Sequence, residues 1–139
     1  ILKASNFVSF FKPLSAINYV LAGIYARDNH FDSVVLYNEA GNICETFNAN
    51  IFIISDGVVH TPPLSEYCLD GVMRQHIINQ MKALGIPYSE QAISEEDLKN
   101  ADEVFLSNAT KGIVWVESFE QSNYQFNQTF ELHSKIFGI

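Results

Sequence analysis

The stretch from Asn50 to Thr61 constrains the fold more than any other part of the chain. Asn50-Ile51-Phe52-Ile53-Ile54-Ser55 is followed by Asp56-Gly57 and then by Val58-Val59-His60-Thr61. β-Branched and aromatic residues suit a pleated, packed surface. Asp-Gly between two such runs is the signal for a tight hairpin turn. The segment therefore reads as two antiparallel strands, and Pro62-Pro63 ends the second.

The rest of the chain alternates between strand and helix signals. NFVSFF near the start suits a strand, and Pro13 holds Lys12 in an extended backbone. Over residues 14–28, Leu14, Ile17, Leu21, Ile24 and Tyr25 recur at helical spacing, and Asn29 follows. Residues 33–38 and 43–46 read as a hairpin around Glu39-Ala40-Gly41-Asn42. A second helix is expected over residues 72–84, with Val72, Ile77, Ile78, Met81 and Leu84 on its apolar face and Gly85 as its stop. Residues 88–93 suit a short strand. Ser94 then caps a short helix whose first turn, Glu95-Glu96-Asp97, complements the helix dipole and which ends near Asn100. Strands at residues 103–107 and 112–116 follow. A last helix over residues 126–137 is marked by Phe130, His133 and Phe137. Strands joined by tight hairpins and interrupted by helices imply an α+β domain with a mixed, largely antiparallel sheet.

Composition narrows the class. The chain has 139 residues, 47% apolar and 17% charged. A chain of this size buries about 68% of its unfolded surface, so it forms one ordered domain. Sixteen acidic against eight basic residues give a net charge of −8, with no basic stripe for nucleic acid. No apolar run reaches the roughly 20 residues of a membrane-spanning helix. The N-terminus lacks a signal-peptide layout and does not begin with Met, so a processed or partial product is expected. Cys44 and Cys68 stand outside any metal-type spacing, so two free, buried thiols in a reducing cytoplasm are expected. The four His residues are scattered, and no metal site is expected. Phosphate-loop, dinucleotide and nucleophile-elbow motifs are absent.

Three features stand out chemically. Lys12, in SFFKPLSAI, is either a strand-end residue reaching water or a desolvated amine, and desolvation turns lysine into a usable nucleophile. Glu45, in ICETFNANIFII, is either exposed at a bend or partly buried with a cationic partner. LDGVMRQ places a Gly and backbone amides at a helix start, which serves for capping or as an anion seat.

In order, FFKPLSAINYVLA, NEAGNICETFNANIFII, TPPLSEYCLDGVMRQHII and LKNADEVFLSNATKGIVWV resemble the class IV aminotransferases, the fold-type IV enzymes of pyridoxal 5′-phosphate. That family includes branched-chain and D-amino-acid aminotransferases and aminodeoxychorismate lyases. The resemblance covers roughly residues 9 to 117. It implies a barrel-like sheet with flanking helices, the fold of the family's C-terminal, cofactor-binding domain. The N-terminal α+β domain of the family is missing from the sequence. Residues 1–139 are thus expected to be the cofactor domain alone, a fragment of a longer enzyme.

The resemblance also implies roles. Lys12 corresponds to the lysine that bonds to the cofactor and shuttles the proton. Glu45 corresponds to the acid facing the pyridine nitrogen. The amides of Val72 and Met73 correspond to the phosphate seat, with Met73 where many members have Thr. Asn108 and Ala109 correspond to a loop on the phosphate and substrate side, and this pair is more similar to the lyase branch. Tyr19 follows Asn18 as in the branched-chain enzymes, but its spacing from Lys12 differs and no cofactor contact is expected of it. Trp115 is expected in the core. The implied reaction is that of an aminodeoxychorismate lyase, releasing pyruvate and 4-aminobenzoate through a Lys12 aldimine. The alternatives are a transaminase of branched-chain or D-amino acids and a non-catalytic domain. A homodimer taking a small amino-acid-like substrate is expected by the same resemblance.

Overall fold

The computed structural model describes residues 1–3 and 17–139. Lys12, Pro13, Leu14 and the NFVSFF strand lie outside the described residues. The first helix, α1, spans Ile17–Asp28. A short hairpin, β1 (Val35–Tyr37) and β2 (Ile43–Thr46), follows. Strands β3 (Asn50–Ser55) and β4 (Val58–Thr61) lead to α2 (Val72–Leu84) and β5 (Tyr88–Glu90). Then come α3 (Glu95–Asn100), β6 (Glu103–Asn108) and β7 (Gly112–Trp115). A two-stranded ribbon, β8 (Ser118–Phe119) and β9 (Ser122–Asn123), precedes α4 (Asn127–Phe137).

Five strands form one sheet in the order β5-β4-β3-β6-β7. All neighbours are antiparallel except β4 and β5. That parallel pair is bridged by α2, because parallel strands cannot be joined by a tight turn. The fold is α+β with a mixed sheet, as expected. The sheet is open, with β5 and β7 as its edges, so among the described residues it does not close into a barrel.

The unbroken apolar run in β3 follows from its central position. Ile51 and Ile53 face a cluster with Ile43, Ile93, Leu98, Val104 and Tyr124. Phe52 and Ile54 face the opposite cluster, with Val59, Ile77, Met81, Phe105 and Leu132. A strand covered on both faces loses the polar alternation of a half-exposed one. Phe52 and Phe105, on adjacent strands, stack at 4.7 Å between ring centroids, an interplanar angle of 6°. The β3–β4 turn is the two-residue type that Asp-Gly favours, with Asp56 at φ 51° and Gly57 at φ 77°. The Asp56 N–H donates to Asp102 Oδ2 at 2.9 Å, tying the turn to the start of β6.

Helix ends follow local chemistry where a cap is present and tertiary contacts where it is not. Ser94 and Asp97 form a reciprocal capping box on α3. Helix α2 ends at Gly85, which takes the left-handed conformation at φ 67°. Helix α4 has no side-chain cap from Phe126. Buried Glu103 of β6 supplies one instead, accepting the N–H groups of Gln128 and Thr129 and the Thr129 hydroxyl at 2.7–2.8 Å.

Two helices bury a face other than the one their spacing suggests. In α1, Ala22 and Ala26 are buried, whereas Ile17 (67% exposed), Leu21, Ile24 and Tyr25 face outward. The small side is the one packed: Gly23 lies so close to Phe47 that an added Cβ would stand 3.4 Å from its ring. In α4 the buried residues are Thr129 and Leu132, while Phe130 is 64% exposed. Val72 and Leu84 of α2 are exposed too, leaving Ile77 and Met81 as its anchors. Trp115 lies on the edge strand β7, exposed and against Phe126 at 4.8 Å, not in the core. The segment of residues 88–93 pairs only as far as Glu90. The β8–β9 ribbon is too short to leave a strand pattern.

These burials separate two substitutions that sequence alone would rank alike. Phe105→Ala, in the sealed core, is expected to lower unfolding free energy by about 3–5 kcal/mol. Phe130→Ala is expected to change it by less than about 0.5 kcal/mol. Urea unfolding of the two variants measures both.

Candidate active site

Residues 1–3 run beside β1 as a short extended segment. Leu2 bridges Tyr37 in parallel, the Tyr37 N–H donates to the Ile1 carbonyl, and the Lys3 N–H donates to the Tyr37 carbonyl. Across β1, Leu36 pairs with Glu45 of β2. This register brings Lys3 and Glu45 together. Lys3 Nζ lies 2.6 Å from Glu45 Oε1, and the two residues are 4% and 2% exposed. The same ammonium donates to the Tyr67 carbonyl. Tyr67 holds a left-handed backbone, φ 65°, at the end of a single 3₁₀ turn over Leu64–Glu66.

The carboxylate has further partners. The Tyr19 hydroxyl, from α1, donates to Glu45 Oε1 at 2.6 Å, and the Leu69 N–H donates to Oε2 at 2.9 Å. The Lys3 ammonium also stands 5.3 Å from the centre of the Tyr19 ring. Burial and the facing Glu45 charge push the Tyr19 phenol well above its ordinary range, so it remains a donor. Of the two readings open for Glu45, the buried one with a cationic partner is the one observed. The cation is Lys3, which sequence reasoning passed over. Its only local signal was a lysine set between Leu2 and Ala4. Lys12 lies outside the described residues.

Glu45 and Tyr19 stand on the wall of a cavity of about 440 Å³. Val72, Met73, Asn108 and Ala109 also line it, so the described candidate residues from three separate sequence blocks meet there. Tyr19, not expected at the site, lines it as well. The N-terminus of α2 opens onto the cavity through Gly71, Val72 and Met73. Gly71 offers no capping side chain. A Cβ on it would sit 2.3 Å from Asn50 Oδ1, so the close approach requires glycine. Asn50 Nδ2 donates to the Leu69 carbonyl at 2.8 Å, pinning the loop before the helix. Arg74, buried in the first turn, reaches the Pro62 carbonyl and Glu90 Oε1, anchoring α2 to β4 and β5. On the far wall Asn108 shapes its own loop. Its Oδ1 accepts the N–H groups of Thr110 and Lys111, and its Nδ2 reaches the Asn48 carbonyl.

The amino-transferase class IV family profile matches residues 2–119. The chain belongs to the class IV aminotransferase family. The branched-chain-amino-acid aminotransferase of Escherichia coli K12 is 36% identical over 104 residues, 75% of this chain and 34% of that protein. Among solved structures, the branched-chain aminotransferase of Thermoproteus uzoniensis with norvaline matches with a TM-score of 0.85 at 28% identity, covering 95% of this chain and 46% of that one. The 4-amino-4-deoxychorismate lyase of Pseudomonas aeruginosa gives 0.86 at 24% identity over 94% and 49%, a likeness of fold alone. This class IV chain spans about a third of the length of the curated relatives it matches.

Class IV aminotransferases use pyridoxal phosphate. The residues present fit that group. The carboxylate on the cavity wall is paired with a buried amine, and a helix N-terminus without a side-chain cap faces the same space. The volume falls within the roughly 300–1,000 Å³ of ligand pockets. Among the described residues no cluster of three or more His, Cys, Asp or Glu side chains could hold a metal ion. No described helix is long and apolar enough to cross a membrane.

Both cysteines are free and buried, one residue before Glu45 and one before Leu69. Burial pushes the Cys44 thiol up to about 12, against the opposing charge of Lys3. Burial likewise pushes Cys68 up to about 11, against Arg74.

Lys3→Met in this class IV domain strands a buried carboxylate and is expected to cost about 3 kcal/mol of stability, part of which Glu45→Gln restores in the double variant. A denaturant-based double-mutant cycle reads the coupling. The thiols set a separate pH dependence. Their folded pKa values lie above the ordinary 9.0, so their contribution is complete below about pH 9 and is lost as pH rises toward 11–12. Below that window neither thiol is expected to react with iodoacetamide in the native chain, whereas both react in urea. Mass spectrometry counts the adducts.

Proposed function

We propose that this chain is the cofactor-binding part of a pyridoxal-phosphate-dependent aminotransferase that moves amino groups from branched-chain amino acids. The observation that carries the reading is the buried Lys3–Glu45 pair, whose carboxylate lines a cavity onto which the N-terminus of α2 opens. Two lysines compete for the reactive role. Lys12 has its place in the resembling sequence block. Lys3 has an observed position, within hydrogen-bond distance of the carboxylate, and we assign the role to it.

When bound, the cofactor supplies an aldehyde for an amine and an electron-accepting ring. This chain's residues divide the remaining work. Lys3 Nζ takes the proton from the substrate's α-carbon and returns it. Glu45, fixed by Tyr19 and the Leu69 N–H, holds a proton at the ring nitrogen. The first N–H groups of α2, with the helix dipole behind them, bind the phosphate at Val72 and Met73. The Asn108–Ala109 loop closes the substrate side, and the buried β2 keeps water from the amine.

Amino-group transfer is preferred to the lyase reaction for two reasons. The curated relatives at 33–36% identity are named as branched-chain aminotransferases, whereas the lyase likeness is one of fold. Asn108, which favoured the lyase, is engaged in shaping its own loop. Two buried free thiols accord with a reducing, cytoplasmic setting. A homodimer remains the expected assembly.

The test has two arms. With added pyridoxal phosphate the purified chain is expected to show a visible absorbance band that borohydride bleaches. Lys3→Ala abolishes it and Lys12→Ala leaves it; the opposite result moves the reactive amine to Lys12, and a colourless parent chain supports a non-catalytic domain. The full-length protein is then expected to convert a branched-chain amino acid and a keto-acid acceptor. Release of 4-aminobenzoate from aminodeoxychorismate without such transfer reverses the choice.

A further inference from the structure

Buried hydroxyls nearly always find a hydrogen-bond partner, because burial without one leaves the desolvation cost uncompensated. Ser107 is an exception. It is 1% exposed, and its Oγ has no partner among the described residues. The other unpartnered buried polar atoms among the described residues are Ser33 Oγ and Arg74 Nε, and neither residue lines the cavity. Ser107 does.

Its place in the sheet gives the orphan meaning. Ser107 of β6 stands opposite Asn50 of β3. Asn50 is the residue that pins the Leu69 carbonyl and lies against the α carbon of Gly71. The start of α2 is thereby held close over the Asn50–Ser107 pair. By contrast, the Thr46 hydroxyl on the same wall is engaged with Asn48 and Ala49. The local charge suits an anion. Among the described residues the wall carries one carboxylate, Glu45, which Lys3 neutralises, and one basic side chain, Lys111.

We propose that Ser107 Oγ donates a hydrogen bond to an anionic phosphate ester seated at the N-terminus of α2, completing a seat begun by the helix amides. This rests on the reading of the cavity as a pyridoxal-phosphate site and adds a residue to it. Asn108 and Ala109 bring no hydroxyl to the adjacent loop. Thr110 beyond them is exposed, and Ser107 carries the buried, unpartnered hydroxyl on this wall.

The experiment compares binding of pyridoxal 5′-phosphate and of pyridoxal, which lacks the phosphate, to the full chain by fluorescence titration. Ser107→Ala is expected to weaken the phosphorylated ligand about ten-fold, the loss of one hydrogen bond to a charged group. Pyridoxal binding is unchanged, and Ser107→Thr restores the phosphate preference. Equal affinities in parent and Ser107→Ala, or an equal loss for both ligands, overturn the proposal. If the parent binds neither ligand, the cofactor reading itself fails, and inorganic phosphate decides for Ser107. Line broadening of the ³¹P resonance by the parent and not by Ser107→Ala upholds the anion seat, and identical spectra overturn it.

Discussion

Glu45 is a carboxylate withdrawn from water and held by groups from three other parts of the chain. Lys3 comes from the N-terminal segment, Tyr19 from α1, and the Leu69 N–H from the loop leading into α2. A charge in such a place is tolerable only when a counter-charge and hydrogen bonds replace the lost solvent. Satisfying it therefore fixes where α1 docks, how the N-terminal segment pairs with β1, and where the loop before α2 turns. Lys3 extends the network by one link, to the carbonyl that the left-handed Tyr67 presents.

The position of α2 is set from the other side by packing. Ile77 and Met81 sit on the sheet face built by Phe52, Ile54 and Phe105, and Arg74 ties the first turn to the ends of β4 and β5. Gly71 lets the backbone descend onto Asn50. The helix N-terminus is consequently aimed at the cavity by hydrophobic burial, a buried guanidinium and one missing Cβ. None of these needs a ligand to be present. The result is a preorganised pole of positive potential in a chain whose overall charge is −8.

Much of the secondary structure was legible locally. The limits of β3, β4 and α2 coincide with the readings from turn residues, apolar runs and helix stops. The α3 capping box and the Asp56-Gly57 turn are encoded within a few residues. Glu45, the start of α2 and the Asn108–Ala109 loop each stand in a distinctive block, and they line one cavity. The cation that faces Glu45 was not legible. Lys12 drew attention through its apolar surroundings, while Lys3 reaches the carboxylate only because Leu2 pairs with Tyr37 and Leu36 with Glu45. The helix faces were misjudged for a related reason. Periodicity finds the apolar stripe of a helix, but α1 docks by its small residues, which let backbones approach closely, and turns its large apolar side chains outward.

The sequence by itself determined the α+β class, most element limits, the family and the charge balance. All of these follow from interactions among near neighbours or from the chemistry of short blocks. Tertiary structure alone decided that the sheet among the described residues stays open, that Lys3 is the cation facing Glu45, that Tyr19 joins them, and that Ser107 is left among those residues with an unused hydroxyl beside the start of α2. Each of these depends on groups tens of residues apart meeting in a medium without water. Backbone propensity carries no record of such distances; strand register and the burial of the β3 faces create them.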